Sequence, residues 1–120
     1  MEHIKLGVVE ARFADIVWEN EPVKTKDLVS LCEKVLNWKR TTTYTVLKKL
    51  CGRGIFVTEN STVRSLISRS EFYSIQSEQF VDEIFSGSLP SFLAAFTARK
   101  TPTAEELREI REMIDAFDKE

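Results

Sequence analysis

Four threonines, a tyrosine and four cations fall in the eleven residues Lys39-Arg40-Thr41-Thr42-Thr43-Tyr44-Thr45-Val46-Leu47-Lys48-Lys49. Hydroxyls donate and accept hydrogen bonds, and cations attract anions. Together they suit a surface that meets phosphates and base edges: threonine hydroxyls reach both, and threonine methyls touch thymine methyls. They do not suit bond-breaking chemistry. The chain has no GKS/T loop, GxSxG, HExxH or CxxC, and its many carboxylates are spaced as solvated helix faces, so no enzyme is expected. No cofactor and no metal are expected. Cys32 and Cys51 do not make a disulfide framework; both sit at apolar positions of helical patterns and read as buried thiols. The single histidine, His3, lies among the first residues and reads as mobile.

The threonine run must first be given a conformation. As a strand it would alternate Thr41, Thr43 and Thr45 against Thr42, Tyr44 and Val46, with no apolar face. As a helix it places Thr43, Val46, Leu47 and Leu50 at i, i+3, i+4 and i+7, one continuous stripe. The helix reading wins because it yields a burial pattern, although threonine costs a few tenths of a kcal/mol per residue in helix propensity. Local preference is overridden there, which suggests another use for the surface. The helix runs from about Arg40 to Cys51, closed by Gly52 and Gly54.

The neighbours give it a context. Gly7–Glu19 carries Val9, Phe13, Ile16 and Val17 at helical spacing with Trp18 beside them, and Asn20-Glu21-Pro22 ends it. Val23 reads as one extended residue. Thr25 reads as the cap of a second helix with Leu28, Val29, Cys32 and Val35 inside, stopped at Asn37. Ile55–Glu59 and Val63–Ser68 read as two strands around the turn residues Asn60-Ser61-Thr62. Helix, helix, helix, hairpin is the order of a winged helix-turn-helix, whose threonine-bearing helix enters the DNA major groove.

The fold class expected is therefore mainly α with a small β-hairpin wing: a winged helix-turn-helix over residues 1–69 and a C-terminal helical dimerisation region over 70–120. The candidate DNA-binding residues are Lys39, Arg40, Thr41, Thr42, Tyr44, Thr45, Lys48, Lys49 and, on the wing, Arg64. Charge points the same way. Between Asn37 and Arg69 seven cations face Glu59 alone, leaving +6; from Thr101 to Glu120 seven acids face three bases, leaving −4; the whole chain stands at −2. The bland reading of Lys48, Lys49 and Arg64 is an ordinary solvated face. Trp18 reads as packed inside, and Trp38 as a cover over the start of the threonine helix.

The second region reads as three helices: a long one opened by the capping box Ser68-Arg-Ser-Glu71, a short one restarted by Ser88 and Pro90, and a last one opened by Thr103-Ala-Glu-Glu106. They present Phe80, Ile84, Phe85, Leu89, Phe92, Leu93, Phe96, Ile110, Ile114 and Phe117. Helices this small leave much of that apolar surface wet unless paired, so a homodimer is expected, and a two-fold axis would set two threonine helices on a palindromic site.

Over nearly its whole length the chain resembles the penicillinase repressor family. EARFADIVWENEPVKTKDL looks like that family's opening signature of a glutamate, Glu10, and a downstream tryptophan, Trp18. TTTYTVLKKLCGRGIF is similar to its recognition segment, FVDEIFSGSLPSFLAAF to its dimerisation segment and TAEELREIREMID to its closing helix. The resemblance implies a dimeric transcriptional repressor of resistance or stress genes, bound to double-stranded DNA at an inverted-repeat operator, with no small-molecule cofactor; the compartment expected is the cytoplasm, because no apolar run approaches the length of a membrane span and no signal peptide is read at the start. It further implies a membrane sensor-protease as inducing partner, with the cut at the Ala95–Phe96 bond. The chain departs from the family at Thr43, where an apolar residue is usual, at Leu66, which stands where an aromatic is common, and in lacking the cysteine-rich tail of copper-responsive relatives. The alternative reading is a winged-helix protein-interaction module without direct DNA binding, motivated by the sparse basic character of the wing and the acidic balance of the chain.

Overall fold

The computed structural model describes residues 6–119, so the expectation for His3 lies outside the described residues. The order is α1 (Val8–Asn20), β1 (Val23–Lys24), α2 (Thr25–Leu36), α3 (Arg40–Gly52), β2 (Phe56–Glu59), β3 (Thr62–Ser65), α4 (Arg69–Phe85), α5 (Leu89–Arg99) and α6 (Ala104–Asp118). This is the expected winged helix followed by C-terminal helices. The chain divides into two compact units, residues 1–79 and 80–120, with the break inside α4.

In the first unit, α1 starts at Gly7, whose N–H is taken by the Glu10 carboxylate at 3.0 Å. It buries Phe13, Ala14, Ile16 and Val17. Val9, expected on that inner stripe, is exposed; the buried set is shifted by the helical period to the face that includes Ala14. Lys24, not Thr25, is the N-cap of α2 and offers no side-chain bond, because Thr25 is already helical. Leu28 and Cys32 are its buried residues. Val35 is exposed, and Leu31 and Leu36 pack against the core in its place. Asn37 adopts the left-handed conformation at φ 57°, and its N–H closes α2 on Glu33 O at 3.1 Å.

The sheet has three strands, in the order β1-β3-β2, where two were expected. Val23 pairs with Val63 and Lys24 with Thr62, antiparallel. Both hairpin strands are shorter than their expected spans. Asn60 and Ser61 hold the tip with φ 52° and 58°, the paired left-handed geometry of a tight two-residue hairpin. The Ser61 carbonyl accepts from Thr25 N–H at 2.9 Å, which ties the tip to the start of α2. Glu21 anchors the other end, accepting from Ser65 N–H at 2.7 Å and from the Ser65 hydroxyl at 2.6 Å.

One apolar core joins these parts. Phe13, Val17, Leu28, Leu50, Ile55, Phe56 and Val63 are almost fully buried, and Phe72 from α4 completes it. Phe13 stacks on Trp38 with ring centroids 5.6 Å apart, so Trp38 sits against the core just before α3. Trp18 is half-buried, as a tryptophan with a polar end to satisfy should be, and its Nε1–H donates to Ile67 O at 3.0 Å. Cys32 is buried, but Cys51 is only half-buried, contrary to expectation. It lies at the end of α3 beside β2, with its sulfur 3.6 Å from the Thr58 hydroxyl.

In the second unit, Gly87 turns the chain at φ 80°. Ser88 caps α5 by accepting from Ser91 N–H, with Pro90 in the first turn. Thr103 and Glu106 form a reciprocal capping box at the start of α6, with bonds of 3.0 and 2.9 Å. Phe80, Phe85, Phe92 and Phe96 form a ring cluster with centroid separations of 5.7 to 6.1 Å. No described residue of α5 or α6 is buried.

Candidate nucleic-acid interface

The interface is built on α3. Thr43, Leu47 and Leu50 are its buried residues, and Val46 is half-buried behind them. That fixes the rotation of the helix. Thr41, Thr42, Thr45, Lys48 and Lys49 are exposed, and Tyr44 is half-buried. Three residues, Asn37 to Lys39, join α2 to α3, and Lys39 is the N-cap of α3.

The threonines divide by role. Thr43 faces inward, with its hydroxyl 3.5 Å from Lys39 O and also toward the Cys32 thiol. Burial pushes the Cys32 thiol upward in pKa, while the hydrogen bond with Thr43 acts the other way. The Thr45 hydroxyl donates back to Thr41 O at 2.8 Å, which settles a β-branched polar side chain within a helix. Its oxygen keeps lone pairs toward solvent and remains an acceptor. Arg40 lies over the Tyr44 ring at 5.5 Å, holding the ring beside the first turn.

The positive segment is partly neutralised within the chain. Lys49 Nζ reaches Glu10 Oε2 at 2.7 Å, Arg64 pairs with Glu59 at 2.9 Å, and Arg69 pairs with Asp15 and Glu19 at 3.3 Å each. Lys39, Arg40 and Lys48 have no ion-pair partner among the described residues. The Lys49 bond and the Gly7 N–H hold the Glu10 carboxyl below its ordinary range. Lys49 therefore straps the end of α3 to α1, and Arg64 braces the wing across its own hairpin.

A groove of about 530 Å³ runs beside α3, lined among others by Tyr44, Leu47, Lys48, Phe56, Val57 and Leu66. No helix of the described residues is long and apolar enough to cross a membrane, and no group of three metal-ligating side chains occurs among them.

The sequence profile of the penicillinase repressors, matched against the chain, covers residues 6–116. The chain belongs to the penicillinase repressor family. Its role is accordingly that of a transcriptional repressor, in a family of regulators rather than enzymes. The match begins before α1 and ends within α6, so both units are part of what makes the chain a family member. No curated protein gives a significant match.

Three features of the site were not foreseen from sequence. The strap from Lys49 to Glu10 joins residues far apart in the chain, and only the placing of Glu10 in the family signature marked it. The Glu21–Ser65 tie left no local pattern. The contacts of Arg69 with α1 were hidden because Arg69 counted toward the positive segment.

Proposed function

We propose that the protein is a dimeric repressor whose α3 enters the major groove of an inverted-repeat DNA operator. Residues 1–69 make the DNA-binding part and residues 70–120 the dimerisation part. The observation that carries this reading is the sidedness of α3: its apolar stripe is buried, and its opposite side presents Thr41, Thr42, Thr45 and Lys48 with Tyr44 at the edge. The threonines are short enough for close approach to base edges, and Lys39, Arg40 and Lys48, without an ion-pair partner among the described residues, supply backbone contacts. Arg64 and Lys49, already paired, contribute less than their count suggests, because a phosphate must first compete with a carboxylate.

The dimer rests on Phe80, Ile84, Phe85, Leu89, Phe92, Leu93, Phe96, Ile110, Ile114 and Phe117. Among these, Ile84, Leu89, Ile114 and Phe117 are each more than half exposed in the single chain. Induction by a membrane sensor-protease would fall at Ala95–Phe96, an exposed bond in the middle of α5. A protease takes its substrate extended, so α5 has to open locally before the cut.

Selection of bound duplexes from a random pool tests the reading. An inverted repeat should emerge, and binding to it should weaken steeply with salt as counterions are released. Recovery of no sequence, or a flat salt response, overturns it. The groove beside α3, with exposed Leu66 in its lining, favours one rival, a module that docks a partner protein on this face. That rival predicts a partner displaced by Lys48→Glu and no shift of any duplex.

A further inference from the structure

The groove beside α3 has a lining that contact with DNA does not use. It lies wholly within the first unit, between residues of α3 and β2, with Thr25 of α2 and Leu66 just beyond β3. Its volume is about 530 Å³, within the roughly 300–1,000 Å³ of sites that hold small organic molecules. Most of the lining is apolar. Leu47 and Phe56 are buried, Val57 is half-buried, and Leu66 is 52% exposed. This apolar surface stays in water until an apolar body covers it. A DNA backbone is a poor cover, because its phosphates seek cations and its base edges seek hydroxyls.

The lining holds one charged group, the Lys48 ammonium, and no carboxylate. Lys48 has no ion-pair partner among the described residues, whereas its neighbour Lys49 is held by Glu10 at 2.7 Å. Tyr44 and Thr58 add hydroxyls. A concave apolar surface with one free cation and a few hydroxyls suits an organic anion, whose body is held by burial and whose carboxylate is held by the ammonium. The rings of Tyr44 and Phe56 favour a flat aromatic body, since rings pack well on rings.

We propose that this groove binds a small amphipathic anion, an aromatic carboxylate of one or two rings, and that its occupation releases DNA. The antagonism rests on the DNA-binding reading above, because Tyr44 and Lys48 belong to both surfaces; the site itself does not. A carboxylate on Lys48 withdraws that ammonium from phosphate, and a body against Tyr44 takes that ring from the DNA. Linkage is reciprocal, so DNA must expel the anion by the same factor.

The test uses the full chain with naphthalene-2-carboxylate as probe and naphthalene-2-carboxamide as its uncharged counterpart. Without DNA, a titration followed by amide NMR should saturate by about 1 mM, with shifts gathered at Leu47, Cys51, Val57 and Leu66. The carboxylate should also slow alkylation of Cys51 by iodoacetamide, since that thiol lines the groove and is half-buried, while Cys32 is buried. Lys48→Met keeps the apolar stem and loses the charge. It should weaken the carboxylate about threefold or more and leave the carboxamide unchanged. Leu66→Ala should weaken both probes and leave duplex affinity unchanged. With DNA, saturating carboxylate should lower affinity for the selected operator by about fivefold or more, and Leu66→Ala should raise the concentration required. The absence of saturable shifts at the groove, or shifts gathered on the exposed apolar residues of α5 and α6, overturns the proposal. So does a groove that takes both probes equally, which is apolar filling alone and the way a partner protein's side chain would dock. Bound carboxylate that leaves duplex affinity unchanged overturns it too. A wild type that shifts no duplex at all refutes the DNA-binding reading and the antagonism with it, while the titration without DNA still decides the site.

Discussion

Replacing Thr43 by valine separates the inside of the recognition helix from its outside. Thr43 is 1% exposed among residues that otherwise face solvent. Its hydroxyl has a 3.5 Å contact with Lys39 O, at the outer limit of a hydrogen bond, and a thiol partner in Cys32. Burying a hydroxyl costs about 1–3 kcal/mol on mutational scales, and an ordinary intramolecular bond returns about 0.5–1.5 kcal/mol. Here the bonds are weak, so the return lies at the low end. Lys39 O keeps its bond from Thr43 N–H at 3.1 Å, so valine orphans no backbone carbonyl. Valine fills nearly the same volume and differs little from threonine in helix propensity. Thr43→Val should therefore leave stability unchanged or raise it by up to about 1 kcal/mol. Thr43→Ala should fall below both, since it also removes a buried methyl worth about 0.8 kcal/mol or more. Urea unfolding at one fixed protein concentration, as the proposed dimer requires, reads the order valine at or above threonine, threonine above alanine. DNA affinity of Thr43→Val should match wild type. A loss of more than about 1 kcal/mol in Thr43→Val would show that the hydroxyl is a structural bond of ordinary strength, and the reasoning would fall.

Tyr44→Ala and Thr45→Ala should each weaken operator binding by about 1–3 kcal/mol with unfolding midpoints little changed; titrations that match wild type would remove those residues from the interface. Glu10→Gln should lose its disadvantage against wild type in acid. The Glu10 carboxyl is held below its ordinary value of 4.5 in the folded chain, so its contribution is present above that value and fades as pH falls through the depressed pKa. Paired unfolding curves from pH 7 downward should converge, and a gap that widens in acid would contradict the strap. Ser61→Gly should stabilise the wing by up to about 1 kcal/mol, because Ser61 holds φ 58° at no benefit that glycine cannot match; thermal unfolding that shows a loss would mean the serine side chain has a partner of its own.

What was legible in the sequence was what repeats. The stripe Thr43, Val46, Leu47, Leu50 outweighed the strand preference of four threonines because a periodic burial pattern acts over the whole helix, whereas propensity is a few tenths of a kcal/mol per residue. The caps at Ser88 and Thr103 were legible because their chemistry is local. Val23 was legible as extended, but its place in the sheet was not, because two residues carry no period and Val23 becomes a strand only through its pairing with Val63. Val9 and Val35 were placed inside because a stripe drawn on a helix has a width of about 100°, and only the packed neighbours decide which edge is dry. The charge count of the positive segment survived, but its meaning changed, since Lys49 and Arg69 each found a carboxylate that sequence distance had hidden and Arg64 paired with Glu59 across its own hairpin.

The second unit carries the remaining argument. In α6, Leu107, Ile110, Met113, Ile114 and Phe117 lie on one helical stripe and are between 36% and 71% exposed. An exposed stripe of this length on a helix with a complete capping box is a helix fitted for a surface it does not yet touch. Fully burying one such side chain is worth about 1.5–3 kcal/mol, so half-burying five of them on each of two chains yields enough to offset the rigid-body cost of association, about 4–15 kcal/mol. If the proposed dimer forms through this stripe, association and operator binding are one equilibrium, and Phe117→Ala should lower affinity for two linked half-sites while leaving affinity for a single half-site unchanged, which titrations on the two duplexes check.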